Sequence, residues 1–360
     1  MRILYDGEIF AHQAAGGINR YFANIISRLP ADFVPTFATC QRRTINCPVH
    51  PNLQTFYFQR YGFRPGRVSY WLEKYYFRAV SRFTNQQIAH PTYYRLLSRQ
   101  DMATVRLPIA LTVYDMIYEI FKPEDMWVDV KRKAVQAADV ILCISENTKK
   151  DLLERIPIPE ERVRVTYLAS ELDSSLAYGT ESVPAAPYFL YVGARVGYKN
   201  FDTLLAAFAK AVSVRPDFRL VVVGAPLSKQ ELAQITDLNL QQQIDCVGYP
   251  TDSHLAKLYR CSLALVYPSR YEGFGIPPLE AMSCGTVTIA ANTSSIPEVV
   301  GDAGILLNPD AVGDLADSLL FLADHSSERD RLIQKGFERC KQFSWDKTAA
   351  QTIAAYQSIT

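Results

Sequence analysis

Glu272 and Glu280 stand eight positions apart in the segment Pro268-Ser269-Arg270-Tyr271-Glu272-Gly273-Phe274-Gly275-Ile276-Pro277-Pro278-Leu279-Glu280-Ala281-Met282. Two carboxylates set around a glycine loop in this way can grip the hydroxyls of a sugar nucleotide. Gly273 and Gly275 remove side chains where backbone must approach a ligand closely, and Pro277 and Pro278 suit a first helical turn, which has no N–H partner to lose. The preceding run Ser262-Leu263-Ala264-Leu265-Val266-Tyr267, closed by Pro268, predicts a buried strand. A ligand is expected where that strand passes into the helix. Unpaired amides and a partial positive charge there favour hydroxyl and phosphate oxygens. Taken singly, Glu280 would complement a helix dipole and Glu272 would be a solvated loop residue; together, with the glycines and prolines between them, they favour binding.

Cations gather at another strand end, Gly193-Ala194-Arg195-Val196-Gly197-Tyr198-Lys199-Asn200. If two domains face each other across a cleft, Arg195 and Lys199 point into the crevice beside the Glu272 loop and could bind a diphosphate; a solvated basic loop is the alternative reading. Gly16-Gly17 directly precedes an amphipathic helix, as a turn or as a loop for phosphate or acceptor. It is not the G-x-G-x-x-G fingerprint of a nicotinamide enzyme. Tyr114 and Asp115, in Thr112-Val113-Tyr114-Asp115-Met116-Ile117-Tyr118-Glu119, sit at a further strand end as candidates for sugar contacts. Ser145, before Glu146-Asn147-Thr148, is better read as an N-cap. With no H-E-x-x-H, no D-x-D at a strand end and scattered histidines, neither a metal nor any cofactor beyond a nucleotide co-substrate is expected.

The elements that must position these residues alternate from end to end. Strands are predicted at 2–5, 34–38, 55–58, 109–113, 140–144 and 163–167, with helices near 17–29, 68–84, 127–138 and 146–155. A second series of strands follows at 189–192, 219–223, 244–247, 263–267, 286–290 and 304–307. Alternation of this kind means α/β domains with doubly wound parallel sheets, and 360 residues suffice for two cores. The small-residue and proline-rich stretch 173–187 is the linker candidate. It separates an N-terminal domain, 1–172, from a C-terminal one, 188–344.

Hydrophobic residues at 48%, charged residues at 21% and a formal charge of +1 describe a globular protein without bulk attraction to nucleic acid. The seven cysteines form no C-x-x-C pair and suggest a reduced, cytoplasmic setting. Neither a signal peptide nor a bilayer-spanning run is expected. Between Arg60 and Arg99, eight Lys/Arg residues accompany one acid and ten aromatics, among them Tyr70, Trp71, Tyr75, Tyr76 and Phe77. That mixture suits an anionic membrane surface, in a peripheral contact, or a sugar chain. The alternative is structural, with Leu72, Tyr75, Tyr76 and Ala79 turned toward a core.

Taken in order, these segments resemble the family-4 retaining glycosyltransferases of GT-B fold, in which two Rossmann-like domains face a central cleft. The likeness covers nearly the whole chain and is strongest from Tyr188 to Leu322. Its carriers are Gly193 to Asn200, Val247-Gly248-Tyr249, Ser295-Ile296-Pro297-Glu298-Val299-Val300 and above all Glu272 with Glu280, which match the family's E-x7-E motif. The resemblance implies that Glu280 holds the donor's ribose, and that Glu272 with the backbone of Phe274, Gly275 and Ile276 holds its sugar. Arg195 and Lys199 would bind the diphosphate, Gly17 would approach it from the other domain, and residues 345–360 would cross back to the first domain.

The implied reaction is metal-independent, retaining hexosyl transfer from a UDP-glucose-like or GDP-mannose-like donor to a glycan or lipid-linked glycan in polysaccharide biosynthesis. Tyr114 departs from the histidine that relatives commonly carry, and Ala169-Ser170 stand where a glycine is frequent. The rival readings are a sugar-nucleotide epimerase of the same fold and a non-catalytic nucleotide-sugar-binding protein.

Overall fold

A computed structural model describes residues 1–13, 16–40, 46–60 and 64–360, the side chains of residues 83, 177 and 178 excepted. Residues 61–63 of the basic aromatic stretch therefore lie outside it. The chain divides into two units, Met1–Leu168 with Trp345–Thr360, and Ala169–Ser344.

In the first unit, β1 (Arg2–Asp6), β2 (Val34–Thr39), β3 (Gln54–Tyr57) and β4 (Ile88–Ala89) form a parallel sheet in the order β3-β2-β1-β4. A second parallel sheet holds β5 (Ala110–Val113), β6 (Val140–Cys143) and β7 (Val163–Val165). A parallel bridge between Ala89 and Ile109 joins the two. Strands β5 and β6 are buried throughout; their sequences are apolar except for Thr112, whose hydroxyl is hydrogen-bonded.

Helix Trp345–Gln357 belongs to this first unit. A buried polar chain fixes it: the Tyr356 hydroxyl lies 2.6 Å from His90 Nδ1 and 3.1 Å from the Tyr5 hydroxyl, while His90 Nε2 lies 2.9 Å from Thr112 Oγ1. Burial holds the His90 pKa down at about 3, so the ring is neutral and its two nitrogens pair with hydroxyls, not with charges.

The second unit is a six-stranded parallel sheet in the order β10-β9-β8-β11-β12-β13. These are β8 (Tyr188–Val192), β9 (Arg219–Val223), β10 (Ile244–Val247), β11 (Ala264–Tyr267), β12 (Thr288–Ala291) and β13 (Gly304–Leu307). One face packs Phe189, Tyr191, Leu220 and Val266 beneath helices Phe201–Val214 and Val312–Asp324. The other packs Leu190, Val221, Leu265 and Tyr267 against Tyr259, Ala281 and Val300. Strand order reverses between β8 and β11, which places the crevice of a doubly wound sheet at their carboxyl ends.

The expected linker 173–187 is structured within the second unit. A 3-10 turn spans Ser174–Tyr178. Lys257 Nζ donates to the carbonyls of Gly179 and Glu181 at 2.8 and 2.7 Å, and Ser253 Oγ donates to the Glu181 carboxylate at 2.7 Å. Backbone carbonyls and one acid pin this segment to helix Asp252–Cys261.

Candidate functional site

The carboxyl ends of β8 and β11 carry the two loops singled out in the sequence, and the fold stitches them together. Asn200, buried and left-handed at φ 59°, donates from Nδ2 to the carbonyls of Pro268 and Pro309 at 3.2 and 2.7 Å. The Arg270 amide donates to the Tyr198 carbonyl at 2.8 Å. Asparagine tolerates the left-handed conformation, and here its amide does the joining. Lys199 Nζ thereby stands 2.7 Å from both oxygens of Glu272. Only 16% of the lysine side chain and 9% of the glutamate are exposed. Burial, then the Glu272 charge, raises the pKa of the Tyr267 hydroxyl well above its ordinary value, and Lys199 lies over that ring at 5.9 Å.

The glycine loop is held from beneath. Ser295 Oγ, fully buried, lies 2.9 Å from the Glu272 carbonyl and 2.8 Å from the Phe274 carbonyl, sharing one proton between them. Ser294 Oγ accepts the Glu272 amide at 2.9 Å. Gly275 precedes helix Ile276–Ser283 at φ 109°, a conformation strained for any residue with a Cβ. Pro277 and Pro278 fill the first turn, as their lack of an N–H allows. The Phe274 ring is buried edge-on against Phe343, so only backbone of this residue is available to a ligand. Glu280, 5% exposed, accepts from the Tyr259 hydroxyl at 3.0 Å.

Arg195 is more committed than its sequence position implies. Nε donates to Glu231 at 2.6 Å, and Nη2 donates to the Ala225 and Pro226 carbonyls at 2.8 and 2.9 Å. Nη1 is buried and meets no acceptor among the described residues. Burial raises the Glu231 pKa, but the bond from Arg195 and those from Ser228 outweigh it, and the net shift is downward. The sequence Ser228-Lys229-Gln230-Glu231 announces a capping box, which forms. It gives no sign that Glu231 also holds Arg195. Asn200 and Ser295 lay in segments singled out in the sequence, but their joining roles did not show there, because each bonds carbonyls distant in sequence; Tyr259 gave no signal, since its one contact with Glu280 links separate elements.

In the first unit, Gly17 begins helix Gly17–Ser27 behind Gly16. Asp115 Oδ1 accepts the Ile117 amide at 3.0 Å and lies 3.8 Å from Lys131 Nζ, which also meets Glu119 at 2.8 Å. Ser145 is the N-cap of helix Glu146–Arg155, accepting the Thr148 amide at 2.9 Å. Tyr114 is only 7% exposed, with its ring edge-on to Tyr21 and its hydroxyl 3.4 Å from the Thr92 carbonyl. Tyr114, expected to contact the donor sugar, packs at its strand end against residues of the first unit.

Two adjoining sequence models cover the chain. The one described as Glycosyltransferase Family 4 matches residues 15–173, and the one described as Glycosyl transferases group 1 matches residues 180–339. The chain belongs to the family-4 glycosyltransferases.

Among this chain's relatives, the O-antigen chain mannosyltransferase B of Escherichia coli is 32% identical over 63% of this chain and 62% of its own length. The MMP alpha-(1->4)-mannosyltransferase of Mycolicibacterium hassiacum is 29% identical over 64% and 57%. The match thus spans less than two thirds of these relatives. The sucrose-phosphate synthase of Thermosynechococcus elongatus superposes with a TM-score of 0.78 at 21% identity, covering 99% of this chain and 98% of that one. Anabaena HepE, solved with UDP and glucose, gives 0.76 at 18% identity over 99% and 100%. At such identities the likeness establishes the fold, two α/β units with parallel sheets as in GT-B glycosyltransferases.

Proposed function

We propose that this protein transfers a hexose from a nucleotide sugar to a glycan or lipid-linked glycan, with retention of anomeric configuration and without a metal. The observation that carries the proposal is the Lys199–Glu272 pair, fixed beside the N-terminus of helix Ile276–Ser283 with Glu280 on the same helix. Glu280, already oriented by Tyr259, accepts the ribose hydroxyls. Glu272 and the backbone of Phe274, Gly275 and Ile276 take the donor sugar. Lys199 shares its charge between Glu272 and the leaving diphosphate as the glycosidic bond breaks, so its contact strengthens toward the transition state. Arg195, whose Nη1 is buried and unpartnered among the described residues, shapes the loop that carries Lys199 and adds positive charge beside the diphosphate. The names of the relatives favour a mannosyl donor over a glucosyl one. Incubation with GDP-mannose, UDP-glucose and related donors tests this reading: released nucleoside diphosphate with a labelled glycan product is expected. Turnover of the nucleotide sugar without an acceptor would favour the epimerase instead.

A peripheral membrane contact is a second reading, favoured by the outer face of helix Gly66–Phe83. Val68, Trp71, Leu72 and Tyr75 follow helical spacing and are 44, 56, 37 and 45% exposed. The buried stripe is instead Ser69, Glu73, Phe77 and Val80, with Glu73 paired to Arg60 at 2.6 Å and Arg99 at 3.4 Å. Leu72 and Tyr75, expected to face a core, are thus on the solvent side. Arg67, Lys74 and Arg78 on the same helix would attract an anionic surface while the aromatics settle at its interface. No helix among the described residues is long and apolar enough to cross a membrane.

A further inference from the structure

Beneath the inner face of helix Gly66–Phe83 lies a cavity of about 540 Å3, within the range of roughly 300–1,000 Å3 usual for small-molecule sites. Its floor is the sheet: Leu4 from β1, Ala38 from β2 and Ala89 from β4. Phe77 and Val80 form the roof, Leu96, Leu107 and Ile109 add apolar wall, and Ser81, Ser98, Gln100 and Thr104 contribute polar groups to the lining. Among the described residues the one carboxyl in the lining is Asp6, buried, and both its oxygens are held by the Leu97 amide at 3.0 and 3.1 Å. Burial, then the neighbouring Glu8 charge, raises its pKa well above the usual carboxylate value.

The mouth is different. Arg82 and Arg106 line it, both exposed and neither with an ion-pair or hydrogen-bond partner among the described residues. A cavity with apolar side chains on floor and roof and two unpaired cations in its mixed lining is complementary to a molecule with an alkyl chain and an anionic head. We propose that this cavity binds a single-chain alkyl phosphate, chain inward between sheet and helix, phosphate on Arg82 and Arg106. This site stands apart from the β8–β11 loops and does not rest on the transfer reaction.

Calorimetric titration of the whole protein with monomeric dodecyl phosphate, below the concentration at which it self-associates, tests the proposal. Saturable one-to-one binding is expected, at least tenfold tighter than that of butyl phosphate, with inorganic phosphate not measurably bound. Arg82→Glu with Arg106→Glu should weaken it at least tenfold, and so should Ala89→Phe, which fills the cavity. Should Ala89→Phe fail to fold, Ser81→Trp at the half-buried wall serves in its place. Equal affinity for dodecyl and inorganic phosphate, or affinity indifferent to both charge reversal and filling, would overturn it. Binding to anionic phosphatidylglycerol vesicles with none to the monomer would also overturn it, assigning the attraction to the outer face of the helix.

Discussion

Lys199 Nζ is equidistant, at 2.7 Å, from the two carboxylate oxygens of Glu272, although the residues are contributed by loops after different strands, β8 and β11. The pair is mostly buried, so each charge depends on the other for compensation. It ties the strand-end loops together before any substrate arrives.

Breaking the pair from one side should therefore cost more than removing it whole. Lys199→Met alone is expected to destabilise the second unit toward the lower end of roughly 3–5 kcal/mol, while Lys199→Met with Glu272→Leu should recover most of that loss. Urea denaturation of the four proteins of the double-mutant cycle checks this. Equal destabilisation by the single and double variants would contradict a compensated pair.

Turnover should depend on Lys199 and not on added ions. Lys199→Ala is expected to lower kcat about 100-fold or more, as loss of a group stabilising developing charge does, with KM for the donor changing less. EDTA should leave the wild-type rate unchanged. Loss of activity in EDTA that a divalent cation restores would assign the charge stabilisation to a metal.

His90 sets a pH signature for the first unit. Its native pKa, pushed down by burial to about 3, lies below the ordinary histidine value of 6.5. As pH falls from 6.5 toward 3, the unfolded chain takes up a proton that the native ring refuses, so stability declines, with a slope approaching 1.4 kcal/mol per pH unit, roughly. Above pH 6.5 neither state is protonated and the contribution is constant. The raised pKa of Asp6 acts in the opposite sense, which makes the difference between wild type and His90→Gln the informative quantity. That difference should shrink steadily on acidification between pH 6.5 and 3; a difference independent of pH would exclude the buried neutral ring.

Vesicle sedimentation separates the two roles open to helix Gly66–Phe83. Wild type should sediment with anionic vesicles at low salt and less at high salt. Arg64, Arg67, Lys74 and Arg78 changed to Glu, or Trp71→Ala with Tyr75→Ala, should each reduce that fraction. Negligible sedimentation of every protein would leave the exposed aromatics as a glycan-contact or simple surface feature.

Most of the architecture is written in local sequence. Parallel strands covered on both faces need continuous apolar runs, and those of β6, β8 and β11, and of β9 after Arg219, were legible as such. β4 was missed because only Ile88 and Ala89 pair, between Gln87 and His90, too few residues for a period. Helix Gly66–Phe83 was legible as a helix but not in its orientation. Its apolar side is as wide as its buried side, and what decides between them is Glu73, held by arginines 13 and 26 residues away. The loops around Glu272 and Lys199 were readable from glycine, proline and charge spacing. Arg195 was readable as a cation at the same strand end as Lys199, but not its engagement with Glu231 and the carbonyls of Ala225 and Pro226, which come from the far side of β9 in sequence.

The central claim is that the loops after β8 and β11 hold a nucleotide sugar through Glu280, and calorimetric titration of the wild type and Glu280→Ala with GDP-mannose and UDP-glucose tests it most directly. At least one donor should bind the wild type at a single saturable site, and Glu280→Ala should weaken it by roughly 1.5–3 kcal/mol, the worth of a hydrogen bond to a charged acceptor, with the fold intact by circular dichroism. Absence of saturable binding to either donor, or the same dissociation constant in the folded variant, would contradict it.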